Sequence, residues 1–318
     1  MPANFPGLWL KRVEANLTRA DRAPWLNGIT ELDVPVIVSG SGDISELNLI
    51  HIPTTDFEPE VFINNTAYPL ALVDYTDDEV IVKLDKYQTA QTSISDDAII
   101  GSSYNKIDAA TTSHTTAILK KKYSKAIHSI APAGNTAATP VLVSTGRTGK
   151  FKADGTEIIK KTPGGRLMLT YLDLVDFRAA CVAAGFDMDG VRLVLCDDHW
   201  NDLLVDRENF GDQLVNYKSG EVAPVILGFK IYNYVNNPNY NGTNKLAYGA
   251  IPTATQYKAS IAFQEANIAV KTGLTKQYFS IASGDTGSQT NKLNYRHYFM
   301  AVPKRLKYIA AITSGIAA

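Results

Sequence analysis

Residues 185–212 read GFDMDGVRLVLCDDHWNDLLVDRENFGD, and the middle of this stretch decides the architecture. Val191, Leu193, Val194 and Leu195 form an apolar strand. The strand runs into a polar turn, Cys196-Asp197-Asp198-His199, and a short amphipathic segment follows over 200–205. Just upstream, Leu172, Val175, Ala179 and Val182 recur at helical spacing, which predicts a helix over 171–184. Thr170 and Asp173 are placed as a capping pair at its start, and Gly185 ends it. A helix–strand–helix order of this kind suits a binding or assembly scaffold as well as an enzyme.

Working outward, the chain of 318 residues is long enough for one large or two modest domains. Apolar residues make up 45% and charged residues 20%, so a buried core is expected and global disorder is not. The net charge of −1 argues against a protein whose main task is gripping phosphate backbones, which takes many uncompensated Lys and Arg. Cys181 and Cys196 sit in apolar surroundings and read as buried, reduced thiols. No apolar run approaches the roughly 18 residues of a membrane span, and the start of the chain lacks the apolar stretch of a signal peptide. Synthesis in a reducing cytoplasm is the expectation.

Toward the N-terminus, residues 1–44 are punctuated by Pro6, Pro24 and Pro35. They read as an extended arm with one short helix near 8–16, pinned by the large side chains of Trp9 and Trp25. From 47 to 92 the pattern is β, with apolar runs at Val61-Phe62-Ile63, 70–73 and 80–84. The turn at Thr76-Asp77-Asp78 predicts a hairpin between the last two. Ile118, Leu119, Tyr123, Ile127 and Ile130 predict a helix over 108–130, with Asp108 as N-cap. Lys120, Lys121, Lys122 and Lys125 are assigned to its exposed side, and Pro132 and Gly134 stop it. Residues 135–165 read as a loop or small β excursion, 225–235 as a strand and 236–244 as a loop. Strands follow at 259–263 and 269–271, and 295–312 is a strand broken or edged at Pro303.

Motifs for chemistry fail on spacing. In Ser144-Thr145-Gly146-Arg147-Thr148-Gly149-Lys150-Phe151 the first glycine of a phosphate loop is replaced by Ser144, and Phe151 stands where a magnesium-binding hydroxyl belongs. Cys196-Asp197-Asp198-His199 lacks the second ligand pair that zinc needs, and is read as a turn whose Asp side chains bond backbone amides. The carboxylate pairs Asp77/Asp78, Asp96/Asp97 and Asp197/Asp198 read as solvated turns. No catalytic residue, cofactor or metal is expected; an α/β hydrolase working through Asp197, Asp198 and His199 is the enzymatic alternative.

The order of parts resembles the Hong Kong 97-type fold of tailed-bacteriophage major capsid proteins, an α+β architecture. The likeness lies in residues 61–70 (VFINNTAYPL), 84–92 (LDKYQTAQT), Tyr104-Asn105-Lys106, His128-Ser129-Ile130-Ala131-Pro132, 191–210 and 234–240. The wording is most similar to capsid proteins of phages of Bacteroidetes hosts. The resemblance implies an N-terminal arm over 1–50 and an extended β-hairpin loop over 51–95. A peripheral domain with a spine helix would take 96–140 plus 291–318, and an axial domain 141–290. It implies no enzyme and no cofactor. The subunit would join hexamers and pentamers of an icosahedral shell, beside a portal protein and scaffold or decoration proteins. The shell would enclose double-stranded DNA by non-specific contact, with no membrane, after assembly in the host cytoplasm. The family's long N-terminal scaffolding segment has no counterpart here. Because an isolated hairpin is marginal in water, apolar residues of the loop and arm need a neighbour's cover. Trp9, Trp25, Phe57, Phe62, Ile63, Leu70, Leu72 and Val80 are the subunit-contact candidates. An encapsulin-like compartment shell would share the fold.

Overall fold

The computed structural model describes residues 13, 23–34, 37–38, 48–54, 60–66, 68–69, 72, 74, 78–95, 106–206, 215–216, 221–222, 224–284 and 287–317. The short helix expected at 8–16 falls outside them except for Val13, which is helical and buried. Helix α1 spans Lys106–Ile130, α2 Tyr171–Ala183 and α3 Asp197–Val205.

The longest strands, Ile268–Ser280 and Thr290–Pro303, pair antiparallel. Asp85–Gln88 and Thr92–Ser95 add to the free edge of Thr290–Pro303. Alternation along a strand sends successive side chains to opposite faces, and here each face has its own cover. Leu293, Tyr295, Phe299 and Ala301 share a core with Tyr123, Ala126 and Ile127 of α1. Tyr298 and Met300 share another with Ile50 and Ile52 of a small three-stranded sheet. That sheet is Ile37–Val38, Asn48–Thr54 and Asp78–Lys83, all antiparallel. Asp78–Lys83 pairs with Asn48–Thr54. Of the expected partner strand 70–73 only Leu72 is among the described residues, and it is not in a strand. The apolar run Val61-Phe62-Ile63 is also outside any strand.

The second core surrounds an eight-stranded mixed sheet. Val191–Leu195 pairs in parallel with Phe229–Asn233 and antiparallel with Tyr257–Gln264. Tyr257–Gln264 pairs in turn with Ile309–Thr313, which pairs in parallel with Val141–Val143. All of Val191–Leu195 is buried, because the sheet is covered on both faces. Leu193, Leu195, Ala262 and Ile312 pack on the side of Leu174, Phe177 and Leu203 from α2 and α3. Val194, Ile261, Phe263 and Ala311 share the core with the C-terminal half of α1. Helix α1 thus belongs to both cores and ties them together.

Three local expectations need correction. Lys106 already lies in α1, so Asp108 sits in its first turn, where a carboxylate complements the helix dipole, and is not its N-cap. The region 236–244 contains the short strands Asn239–Asn241 and Asn244–Lys245. The final stretch is two strands in two sheets: Thr290–Pro303 stays with α1's long sheet, whereas Ile309–Thr313 crosses into the eight-stranded sheet. The α2 capping box is present as read, with the Asp173 amide donating to Thr170 Oγ1 and Asp173 accepting from the Thr170 amide.

Candidate assembly surface

The stretch that first suggested chemistry is sealed. Asp197 and Asp198 are not in the turn expected but open α3, where carboxylates suit the helix N-terminus. His199 is fully buried, its ring held between Ser260 Oγ at 2.7 Å from Nδ1 and Ser314 Oγ at 3.0 Å from Nε2. Arg166 donates to Ser314 Oγ at 3.1 Å and the Cys196 amide to Ser260 Oγ at 3.1 Å, so both hydroxyls that meet the ring are themselves held in place. The ring is neutral, and burial with the nearby Arg166 charge pushes its pKa down to about 3. Arg166 also grips Asp202 through two bonds of 2.7 Å, and Lys160 pairs with Asp206 at 2.6 Å. These bonds fasten residues 160–167 and 314–317 to α3. They line no opening for a substrate.

The loop 144–146 shows why phosphate has no place there. Its donors already face a carboxylate: the Thr145 amide and hydroxyl donate to Asp173 Oδ1 at 3.1 and 2.6 Å, and the Gly146 amide to Oδ2 at 3.3 Å. Gly146 (φ +67°) is required, since a Cβ would lie 2.4 Å from the Lys160 carbonyl oxygen. Cys181 and Cys196 are free and buried, and burial pushes their thiols up to about 12 and 11. Among the described residues no cluster of three or more His, Cys, Asp or Glu could hold a metal, and no helix is long and apolar enough to cross a membrane.

What the molecule leaves open is an apolar finger. It rises from the root strands Asn48–Thr54 and Asp78–Lys83. Val61 is 80% exposed, Ile63 84% and Leu72 94%; Phe62 and Tyr68 are exposed too. Of the contact candidates, Phe62, Ile63 and Leu72 are therefore uncovered within the subunit. Val80 is half-buried against the root core of Ile50 and Ile52. Trp25 is different: it is wholly buried in its own chain, edge-on to Tyr234 at 5.7 Å and Phe263 at 6.3 Å. Its backbone carbonyl accepts from Arg192 at 2.7 Å, so it pins the arm internally and offers no surface to a neighbour. Trp9, Phe57 and Leu70 lie outside the described residues.

A second open feature was not legible in the sequence. A groove of about 650 Å³ runs between α1 and the segment 86–92, lined by Tyr87, Ala110, Ser113, Ala117, Ile118, Lys86 and Lys121, among others. The lysine run beside it divides. Lys120 and Lys121 are exposed, but Lys122, assigned to the outer side, is buried with its ammonium 4.2 Å from the Phe299 ring centroid. Burial pulls its pKa down to about 8. Three consecutive helical residues cannot all face outward at 100° per step, and the third turns inward.

Fold and finger together define a subunit with unfinished apolar surface. A family model described as phage capsid protein matches residues 77–314, well over half of the chain. No curated protein matches it in sequence. The fold is similar to the capsid of cyanophage P-SCSP1u, at 12% identity and TM-score 0.56, over 91% of this chain and 90% of that one. It is similar to the mature capsid of bacteriophage PhiM1, at 12% identity and TM-score 0.54, over 89% and 92%. A virus-like particle from Pyrococcus furiosus also shares it, at 10% identity and TM-score 0.53, over 98% and 100%. The chain belongs to the phage capsid protein family. It is a major capsid protein, a structural subunit of which many copies form the head shell of a virion.

Proposed function

We propose that shell assembly runs through the finger and the arm, which reach over adjacent subunits. The observation that carries this is the exposure of Val61, Ile63 and Leu72 on a projection with no cover among the described residues. Apolar area left in water is worth about 25 cal/mol per Å² on burial, so a neighbour that dries this surface supplies the drive. In this reading α1 is the spine helix, and the finger is the extended loop. The sheet of Ile268–Ser280 and Thr290–Pro303 anchors the peripheral domain, and the eight-stranded sheet is the axial domain, which meets its copies in hexamers and pentamers. Residues from about 304 onward join the axial domain, because Ile309–Thr313 pairs there. Portal and scaffold or decoration proteins would meet the shell edge and surface, and packaged double-stranded DNA its inner face, non-specifically. Assembly would take place in the host cytoplasm, and the sequence likeness points to a Bacteroidetes host.

Expressed protein, followed by size-exclusion chromatography and negative-stain microscopy, tests this. Closed shells or capsomer rings from the wild type, and free monomers when residues 61–72 are replaced by a short Gly-Ser turn, are expected. Shells formed equally well by the shortened chain would overturn the role of the finger.

A further inference from the structure

Lys121, Ser124, Lys125 and His128 stand at i, i+3, i+4 and i+7 along α1, so they share one stripe of it, beside the buried stripe of Tyr123, Ala126 and Ile127. Across from that stripe run residues 236–250 and Lys258. The two sides enclose a hollow of about 220 Å³ with a mostly polar lining: Lys121, Ser124 and His128 from the helix, and Asn236, Asn239 and Lys258 from opposite. Lys125 joins them through Tyr248, a lining residue whose ring centroid lies 5.2 Å from its ammonium.

No carboxylate lines this hollow. The sequence shows why. There is no Asp or Glu from 109 to 153 or from 222 to 264, the two segments that build the walls, although the chain as a whole carries 32 of them. The net charge of −1 therefore hides a local excess of cations.

The end of the helix does not use this charge up. A helix dipole acts within its last turn, and Lys245 already serves there, donating to the His128 carbonyl at 2.8 Å and to the Ala131 carbonyl. Lys121 and Lys125 lie further back along α1. Like charges are crowded as a result. Burial and then the Lys125 charge pull Lys245 down to about 8. Burial lowers His128 too, against its bond to the Leu246 carbonyl, and Lys245 and Lys125 add to the lowering. An anion seated here would relieve the repulsion.

Resting on the assembly reading above, in which the shell encloses DNA, we propose that this hollow holds backbone phosphates of the packaged double-stranded DNA, and that the α1 side of the subunit faces the shell interior. Lys121, Lys125 and Lys258 would meet phosphate oxygens as charges, with Ser124 and Asn239 donating between them. Such contacts position a duplex and read no sequence. The finger root does not compete for the site within the subunit, because it packs on the other face of the long sheet, against Tyr298 and Met300. An acidic protein segment fits less well, since tight protein contacts need apolar anchors and this lining is mostly polar.

Full-length protein and a short fluorescent DNA duplex test this by anisotropy over a salt series. Lys121→Gln with Lys125→Gln should weaken binding about tenfold or more at low salt and flatten the slope of log affinity on log salt by about two. Lys150→Gln with Lys152→Gln removes the same charge from exposed positions elsewhere and should bind as the wild type does. Thermal melts confirm that each variant folds. Equal weakening by both pairs, or by neither, overturns the hollow as the site. A polyglutamate competitor should displace the duplex poorly. If it displaces as well as unlabelled duplex does, and the Lys121/Lys125 variant loses it equally, the occupant is an acidic protein segment and not DNA. Shells that form normally from a Lys121/Lys125 variant with wild-type DNA affinity remove the proposal and leave the assembly reading standing. A wild type that stays monomeric at every salt concentration removes the proposal together with the reading beneath it.

Discussion

Between pH 7 and pH 5 the unassembled subunit should lose about 2 kcal/mol of stability for each of two buried histidines. His199 lies between Ser260 and Ser314, and His297 under α1, with Nδ1 at 2.9 Å from Thr275 Oγ1. Burial pushes both pKa values from 6.5 down to about 3, helped by Arg166 at His199 and by Lys122 at His297. The unfolded chain therefore binds protons near pH 6.5 that the folded chain refuses. Stability is full above 6.5, falls as the pH drops through 6 and 5, and stops falling only near 3. One pH unit inside this window corresponds to about 1.4 kcal/mol per histidine. His199→Asn keeps a polar side chain in the site but cannot titrate. Its urea midpoint should fall less between pH 7 and 5 than that of the wild type, by the equivalent of about 2 kcal/mol at an unchanged m-value. The measurement belongs on monomeric protein at low concentration, because association stabilises the folded state by mass action. If variant and wild type show the same pH slope, His199 is not held neutral, and the reading that burial and the Arg166 charge keep its ring unprotonated is refuted.

Trp25→Ala should cost about 3–5 kcal/mol by thermal or urea unfolding, since it empties a fully enclosed aromatic site between Tyr234 and Phe263. Arg166→Met should cost a similar amount, about 3–5 kcal/mol, by leaving Asp202 buried and unpaired; adding Asp202→Leu should recover much of the loss in a double-mutant cycle. Gly315→Ala should destabilise by about 1–3 kcal/mol in urea titration, because the new Cβ would stand 2.6 Å from the Ser144 carbonyl oxygen and 2.9 Å from Leu167.

Local rules carried the sequence reading furthest. The Thr170/Asp173 cap and the apolar run of Val191–Leu195 each depend on residues a few positions apart, and each stands in the structure. The stripe read on α2 does not: Val175, Ala179 and Val182 are exposed, and Leu174, Phe177 and Cys181 form the buried face, because the sheet beneath selects the side that carries Phe177. The rest depends on partners far along the chain. Trp25 was legible as a pin of the arm, but nothing near it announces Tyr234 or Phe263, more than two hundred positions away, as the residues that enclose it. Lys122 reads as one of a solvated trio until Phe299 is placed beneath it. The pairing of Asp78–Lys83 with Asn48–Thr54 was not read, because some twenty-five residues separate strands that only the fold brings close. Of the open surface, the exposed apolar residues Phe62, Ile63 and Leu72 were legible, since the local pattern supplied no cover for them. The groove was not, because its walls come from two segments whose juxtaposition only packing creates.

The crossing of Ile309–Thr313 into the eight-stranded sheet bears on quality control. This strand lies between Tyr257–Gln264 and Val141–Val143, hydrogen-bonded to both. A chain broken off before it leaves Val141–Val143 with no strand to pair with and bares the long edge of Tyr257–Gln264. Because all five residues of this strand are buried, a truncated chain should fold poorly and seldom enter a shell, which makes completion of the polypeptide a condition for joining its copies.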